Sequence, residues 1–166
     1  MREIRIIAVL TIAMVAFVVG ALLWSVASAK TGPLDEQAAR RIDRLCGFEV
    51  QCRVRLDDLF DGNWDTFYEF GVGVDQGTMD SVLGTHQVKR ADRQRTLVLM
   101  KGEHVVAAEH ETYGVQQPLA GQIEFIDEHH REQSWVKFGR DTRMRVSTYH
   151  AGDTKGSYYV LIAQEP

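Results

Sequence analysis

Along this chain the spacing of apolar and polar positions changes character several times, and each change predicts an element. From Ile6 to Ala29 there is no charged residue. After the breaker Thr31-Gly32-Pro33, Leu34, Ala38, Ile42 and Leu45 recur at near-helical spacing. Asp35 and Glu36 open that stretch, Arg40, Arg41 and Arg44 close it, and Gly47 lies beyond, so residues 34–45 are predicted to form a helix whose charges suit its dipole. From Phe48 the period becomes two: Phe48, Val50, Cys52 and Val54 alternate with Glu49, Gln51, Arg53 and Arg55, as in a half-buried strand. Past the turn Asp61-Gly62-Asn63, a second strand places Trp64, Thr66, Tyr68, Phe70, Val72 and Val74 on one face and Asp65, Phe67 and Glu69 on the other.

Asp75 to Leu83 predicts a short helix with Met79, Val82 and Leu83 inward and Gly84 as its stop. A charged loop, His86 to Arg95, follows and is read as solvated. Thr96-Leu97-Val98-Leu99-Met100 is almost wholly apolar and predicts a central strand covered on both faces. Lys101-Gly102-Glu103 turns it into a partner, Val105 to Glu111, making a hairpin. After a Pro-containing loop from Gly114 to Gly121, further strands are predicted at Ile123–Ile126, Trp135–Phe138 and Met144–Tyr149. A turn at Gly152 to Gly156 leads into the last strand, Tyr158–Ala163. This order predicts an α+β domain, a mainly antiparallel sheet with one or two helices on one face.

The N-terminal run decides where such a domain would sit. Arg2 and Arg5 precede it, and Val26-Ala27-Ser28-Ala29 end it before Lys30. Two readings remain open. Ala27 and Ala29 suit cleavage of a signal peptide, giving a soluble periplasmic or secreted domain. Ile6 to Trp24, however, is nearer the roughly 20 residues of a membrane-spanning helix than the core of a signal peptide. The basic residues ahead of it then predict a single-pass inner-membrane protein with its N-terminus inside and residues 30–166 outside the cytoplasm. Residues 1–29 are thus expected to be an anchor or leader, and residues 30–166 a single extracytoplasmic domain.

The net charge is −4, and the leader carries Arg2 and Arg5 against Glu3, so the domain is one unit more negative than the whole. Such a domain has no global attraction for nucleic acid, and no nucleic-acid partner is expected. The only two cysteines, Cys46 and Cys52, would stand about 20 Å apart on one extended strand. A disulfide between them requires the chain to turn, which Gly47 permits, and an oxidising compartment allows it; two buried thiols are the alternative.

The segment Trp64-Asp65-Thr66-Phe67-Tyr68-Glu69-Phe70, with the helix ending Leu83-Gly84 and the strand Leu97-Val98-Leu99, resembles a loose group of small exported bacterial proteins. These carry a W-D-x-x-Y-x-F strand, a short helix closing with L-G, and a hairpin. The resemblance covers roughly residues 54–108. It implies envelope localisation and a small α+β fold, and no catalytic residue.

Candidate chemistry is sparse. His104, His110, His129 and His130, with the acids around them, are possible zinc-type ligands, but no fixed ligand spacing is present and solvated turns explain them as well. Arg53 with Arg55, and Arg143 with Arg145, each share a strand face, and Lys137 extends the set if the strands are neighbours. Guanidinium groups so placed suit an acidic partner, unless Glu49, Glu69, Glu109 or Glu124 neutralises them across strands. Phe67 and Tyr159 fall opposite the better-defined apolar faces, where an exposed aromatic pair would be a recognition patch. Nucleophile-elbow, phosphate-loop and dinucleotide motifs are missing. The sequence therefore points to a non-enzymatic envelope protein that binds a protein partner, with no cofactor. An envelope hydrolase or metal-dependent enzyme using the histidine- and acid-rich turns is the alternative.

Overall fold

The computed structural model describes residues 33–47, 52–114, 119–130, 133–150 and 156–164. The expected leader, the Phe48–Gln51 half of the first predicted strand and the turn before the last strand lie outside these residues. Among the described residues no helix is long and apolar enough to cross a membrane.

The element order is α1 (Pro33–Cys46), β1 (Cys52–Arg55), α2 (Leu56–Leu59), β2 (Thr66–Phe70), α3 (Gln76–Leu83), β3 (Gln94–Lys101), β4 (His104–Thr112), β5 (Ile123–Ile126), β6 (Trp135–Gly139), β7 (Arg143–His150) and β8 (Ser157–Ala163). The fold is α+β with mostly antiparallel pairing. The strands form two sheets where one was expected: sheet A in the order β1-β7-β8-β5 and sheet B in the order β4-β3-β2-β6. Only β5 and β8 pair in parallel among the described strands.

Two sheets arise because the apolar side chains demand two cores. The inner face of sheet A (Cys52, Val54, Ile123, Phe125, Met144, Val146, Tyr159, Leu161) packs on Phe67, Leu97, Leu99 and Phe138 of sheet B, with α1 and α2 completing the cluster. Phe67 and Phe125 bridge the sheets with ring centroids 4.6 Å apart. The opposite face of sheet B, through Tyr68, Phe70, Val98 and Met100, packs on Met79 and Leu83 of α3. Sheet B is therefore covered on both sides, which is why β3 is apolar almost throughout. Phe67 and Tyr159, expected to be exposed, are 0% and 3% accessible. The alternation in β2 sorts its residues between two buried faces, one of which was taken for a solvated one.

Local rules set the element ends. Asp75 caps α3 by accepting the Thr78 amide at 2.9 Å, and Gly84 ends it in the left-handed region at φ 68°. The motif residues Trp64 and Asp65 are structural. Trp64 is buried and its indole donates to the Phe60 carbonyl at 3.3 Å, while Asp65 accepts the Gly102 amide at 2.9 Å and so holds the β3–β4 turn. In α1 the inward row ends at Cys46, leaving Leu45 exposed, because Cys46 follows Ile42 by four positions.

Cys46 and Cys52 form a disulfide with Cα atoms 5.4 Å apart, joining the end of α1 to the start of β1. Replacing both by Ala should lower stability by about 2 kcal/mol, the loop-closure value for so short a ring. Denaturant titration of the pair variant against the parent checks this, and reduction of the parent should add the mass of two hydrogens.

Candidate functional site

Two places concentrate charge, one on the open face of sheet A and one in the interior. On the open face, β1 and β7 pair so that Arg53 lies opposite Arg145 and Arg55 opposite Arg143. All four are exposed. Alternation in two strands far apart in sequence thus yields a block of four guanidinium groups. Arg55 is paired with Asp57 at 2.8 Å; among the described residues no ion pair joins Arg53, Arg143 or Arg145. Like charges directly opposite on a sheet destabilise it, so the block is an electrostatic cost to the fold.

Of the carboxylates expected to neutralise it, Glu69 is buried against Arg95 and Glu109 accepts the Leu34 amide at 2.8 Å, while Glu124 lies on the same face of sheet A but on the far strand β5, where it also lines a separate pocket; Glu49 lies outside the described residues. Lys137 does not extend the block. It sits on β6 of sheet B, 5.7 Å above the Tyr68 ring, because β6 pairs with β2 and not with β7. Beyond the arginines the same face carries Tyr149 stacked on Tyr158 at 5.2 Å, then Val160, Ile162 and Ile126, which are part-exposed. A depression of about 420 Å³ borders it, lined by Glu128, His129, Arg145, Ile162 and Gln164.

The histidines do not assemble. His104 and His110 stand six residues apart on β4, and His110 Nδ1 lies 3.0 Å from Thr96 Oγ1. His130 Nδ1 is 2.7 Å from Asp127 Oδ2 in the turn after β5, and His129 lies beside Arg145. Among the described residues no group of three His, Cys, Asp or Glu side chains could hold a metal ion.

The interior site was missed in the sequence. Arg95, read there as part of a solvated loop, is 1% accessible and lies on β3. Its Nε and Nη2 donate to Glu111 Oε2 at 3.2 and 2.8 Å, its Nη1 donates to Glu69 Oε1 at 3.1 Å, and it also donates to Asp35 and to the Ile123 carbonyl. Three carboxylates thus surround one cation. Burial pushes Asp35 well above the ordinary carboxylate range, with Glu111 adding to the effect and Arg95 opposing it. Burial likewise raises Glu69 against the pull of Arg95. The local signals were Asp35 in the first turn of α1, Glu69 on β2 and Glu111 on β4, none of which announces a common partner.

Where the β5 edge of sheet A meets β2 and β6, a pocket of about 220 Å³ reaches this cluster, lined by Glu69, Tyr113, Glu124, Phe125, Trp135 and Val136. The Tyr113 ring faces the Arg95 guanidinium at 5.0 Å, and burial pushes its hydroxyl up to about 12, so it stays neutral.

The chain matches no protein-family model, no curated protein and no solved structure.

Replacing Arg95 by Met should cost at least about 3 kcal/mol in denaturant unfolding, since it leaves three buried carboxylates without their cation. The upward shifts of Asp35 and Glu69 mean that the folded state holds protons which the unfolded chain has released. Their stabilisation is complete below about pH 4 and is lost as the pH rises through the raised folded values. The melting temperature should therefore fall as the pH rises through the raised folded values, and Asp35→Asn should flatten that slope. At the acid end the sign reverses, because the Gly102 amide holds Asp65, and the Thr78 hydroxyl and amide hold Asp75, below the ordinary range.

Proposed function

We propose that this chain is an envelope protein, anchored or exported through residues 6–24, whose folded unit binds an acidic partner protein on the open face of sheet A. The observation that carries the reading is the Arg53–Arg145 and Arg55–Arg143 block. A sheet gains nothing by placing four guanidinium groups opposite one another with Asp57 on Arg55 as the one ion pair among the described residues, whereas a carboxylate-bearing partner converts that cost into two-point contacts. The neighbouring Tyr149–Tyr158 stack and the aliphatic side chains of β8 favour a protein over a flexible anionic polymer, since interface cores are aromatic and apolar and only their rims are charged. A basic patch on a net acidic molecule also steers the encounter.

Placement outside the cytoplasm rests on the uncharged run from Ile6 to Ala29, on Arg2 and Arg5 before it, and on a disulfide suited to an oxidising compartment. The likeness of the Trp64–Phe70 segment to small exported proteins points the same way.

A photo-crosslinking residue at Tyr149, in cells making the full chain, should give one discrete adduct with an acidic protein. Arg143→Glu with Arg145→Glu should remove that adduct. The same pair of changes should leave the fold intact and raise stability by roughly 0.2–1 kcal/mol per relieved pair, since each Glu then faces an Arg. An adduct indifferent to the charge reversal would sink the binding reading, and full-length protein recovered from the cytosol with reduced cysteines would sink the placement.

A further inference from the structure

We propose that the pocket between β2, β5 and β6 is a binding site for a primary alkylammonium group, with the Glu69 carboxylate as its charge partner. The starting observation is an imbalance of charge. Asp35, Glu69 and Glu111 surround Arg95, and Glu124 adds a fourth carboxylate at the pocket wall. The guanidinium has already committed its nitrogens to these acids and to the Ile123 carbonyl, so it offers nothing further to a ligand. An anion entering here would meet net negative charge.

The second observation is independent of the acids' number. Glu69 lines the pocket; its Oε2 is buried and lacks a hydrogen bond of full geometry, with Oε1 bonded to Arg95 and the Phe125 backbone amide also acting on the carboxylate. A buried carboxylate oxygen left without a donor costs about 1–3 kcal/mol or more. A charged N–H donor satisfies it. Tyr113, Phe125 and Trp135 supply aromatic walls, and a cation near such rings gains further stabilisation. The neutral Tyr113 hydroxyl and Glu124 provide acceptors for the remaining ammonium protons.

The walls also select the kind of cation. Divalent metals of the hard class require six or more oxygen ligands in a compact shell, and no metal-holding group is present among the described residues. A volume of about 220 Å³ lined half by apolar side chains instead suits an ammonium on a short methylene chain. That chemistry is shared by a free aliphatic amine and by a lysine side chain presented by another protein.

Calorimetric titration of the full chain with n-butylamine, with cadaverine and with Nα-acetyl-lysine amide tests the site, with n-butanol as the uncharged equivalent. Saturable binding of an amine is expected, with n-butanol at least about tenfold weaker, the ratio that corresponds to 1.4 kcal/mol. Glu69→Gln keeps an acceptor for Arg95 and should weaken the amine at least tenfold. Ser134→Trp, at the exposed rim, should abolish binding with the charge cluster untouched and serves if Glu69→Gln fails to fold. Preference for the free amines identifies a small-molecule site, and preference for the lysine derivative identifies a side-chain receptor. No saturable binding, equal binding of n-butanol, or unchanged binding in both variants would mean that the pocket holds only water, and would overturn the proposal while leaving the sheet A reading intact.

Discussion

The guanidinium of Arg95 sits where water does not reach it, and that single constraint organises the core. A charge in the interior is tolerated only when its partners converge on it with good geometry. Those partners come from four elements: Asp35 from α1, Glu69 from β2, Glu111 from β4 and a carbonyl from β5. Arg95 and Glu111 are direct cross-strand partners. A slip of one residue in that pairing would turn the charges towards the apolar side chains packed on α3, so the pair disfavours the wrong register by more than the right one gains.

The same constraint explains how charge is distributed over the molecule. Asp35, Glu69 and Glu111 turn inward to meet Arg95, and on the outward rows of β1 and β7 only Arg55 has an ion pair among the described residues. Sheet A thereby acquires one apolar face sealed against sheet B and one basic face open to solvent. Asp43 shows the alternative use of an acid at the margin, accepting the Tyr159 hydroxyl at 2.5 Å and fixing a core ring to α1.

Much of the fold was legible because its causes are local. The β3–β4 hairpin, α3 between Asp75 and Gly84, and strands such as Ile123–Ile126 follow from spacing and turn chemistry that a few residues carry. The outward rows Arg53–Arg55 and Arg143–Arg145 were legible for the same reason. Their union was not, since β1 reaches β7 across all of sheet B in sequence. Arg95 was hidden more completely. It ends a run of polar and basic residues that resembles any solvated loop, and its partner Asp35 lies 60 positions away. Phe67 and Glu69 misled because alternation reports two faces and does not say whether the second is wet.

Three carboxylates around one cation cannot all be ionised without cost, and none can be removed without exposing the cation. The cluster therefore responds to its net charge as a unit. A proton taken up at Asp35 relaxes the repulsion felt by Glu69 and Glu111, and a change at Glu69 is felt in turn at the first turn of α1. Because Glu69 alone of the three also faces a pocket, it is the point at which the outside of the protein has access to this balance. The interior charge that fixes the register of sheet B is in this way coupled to whatever occupies the space between β2, β5 and β6.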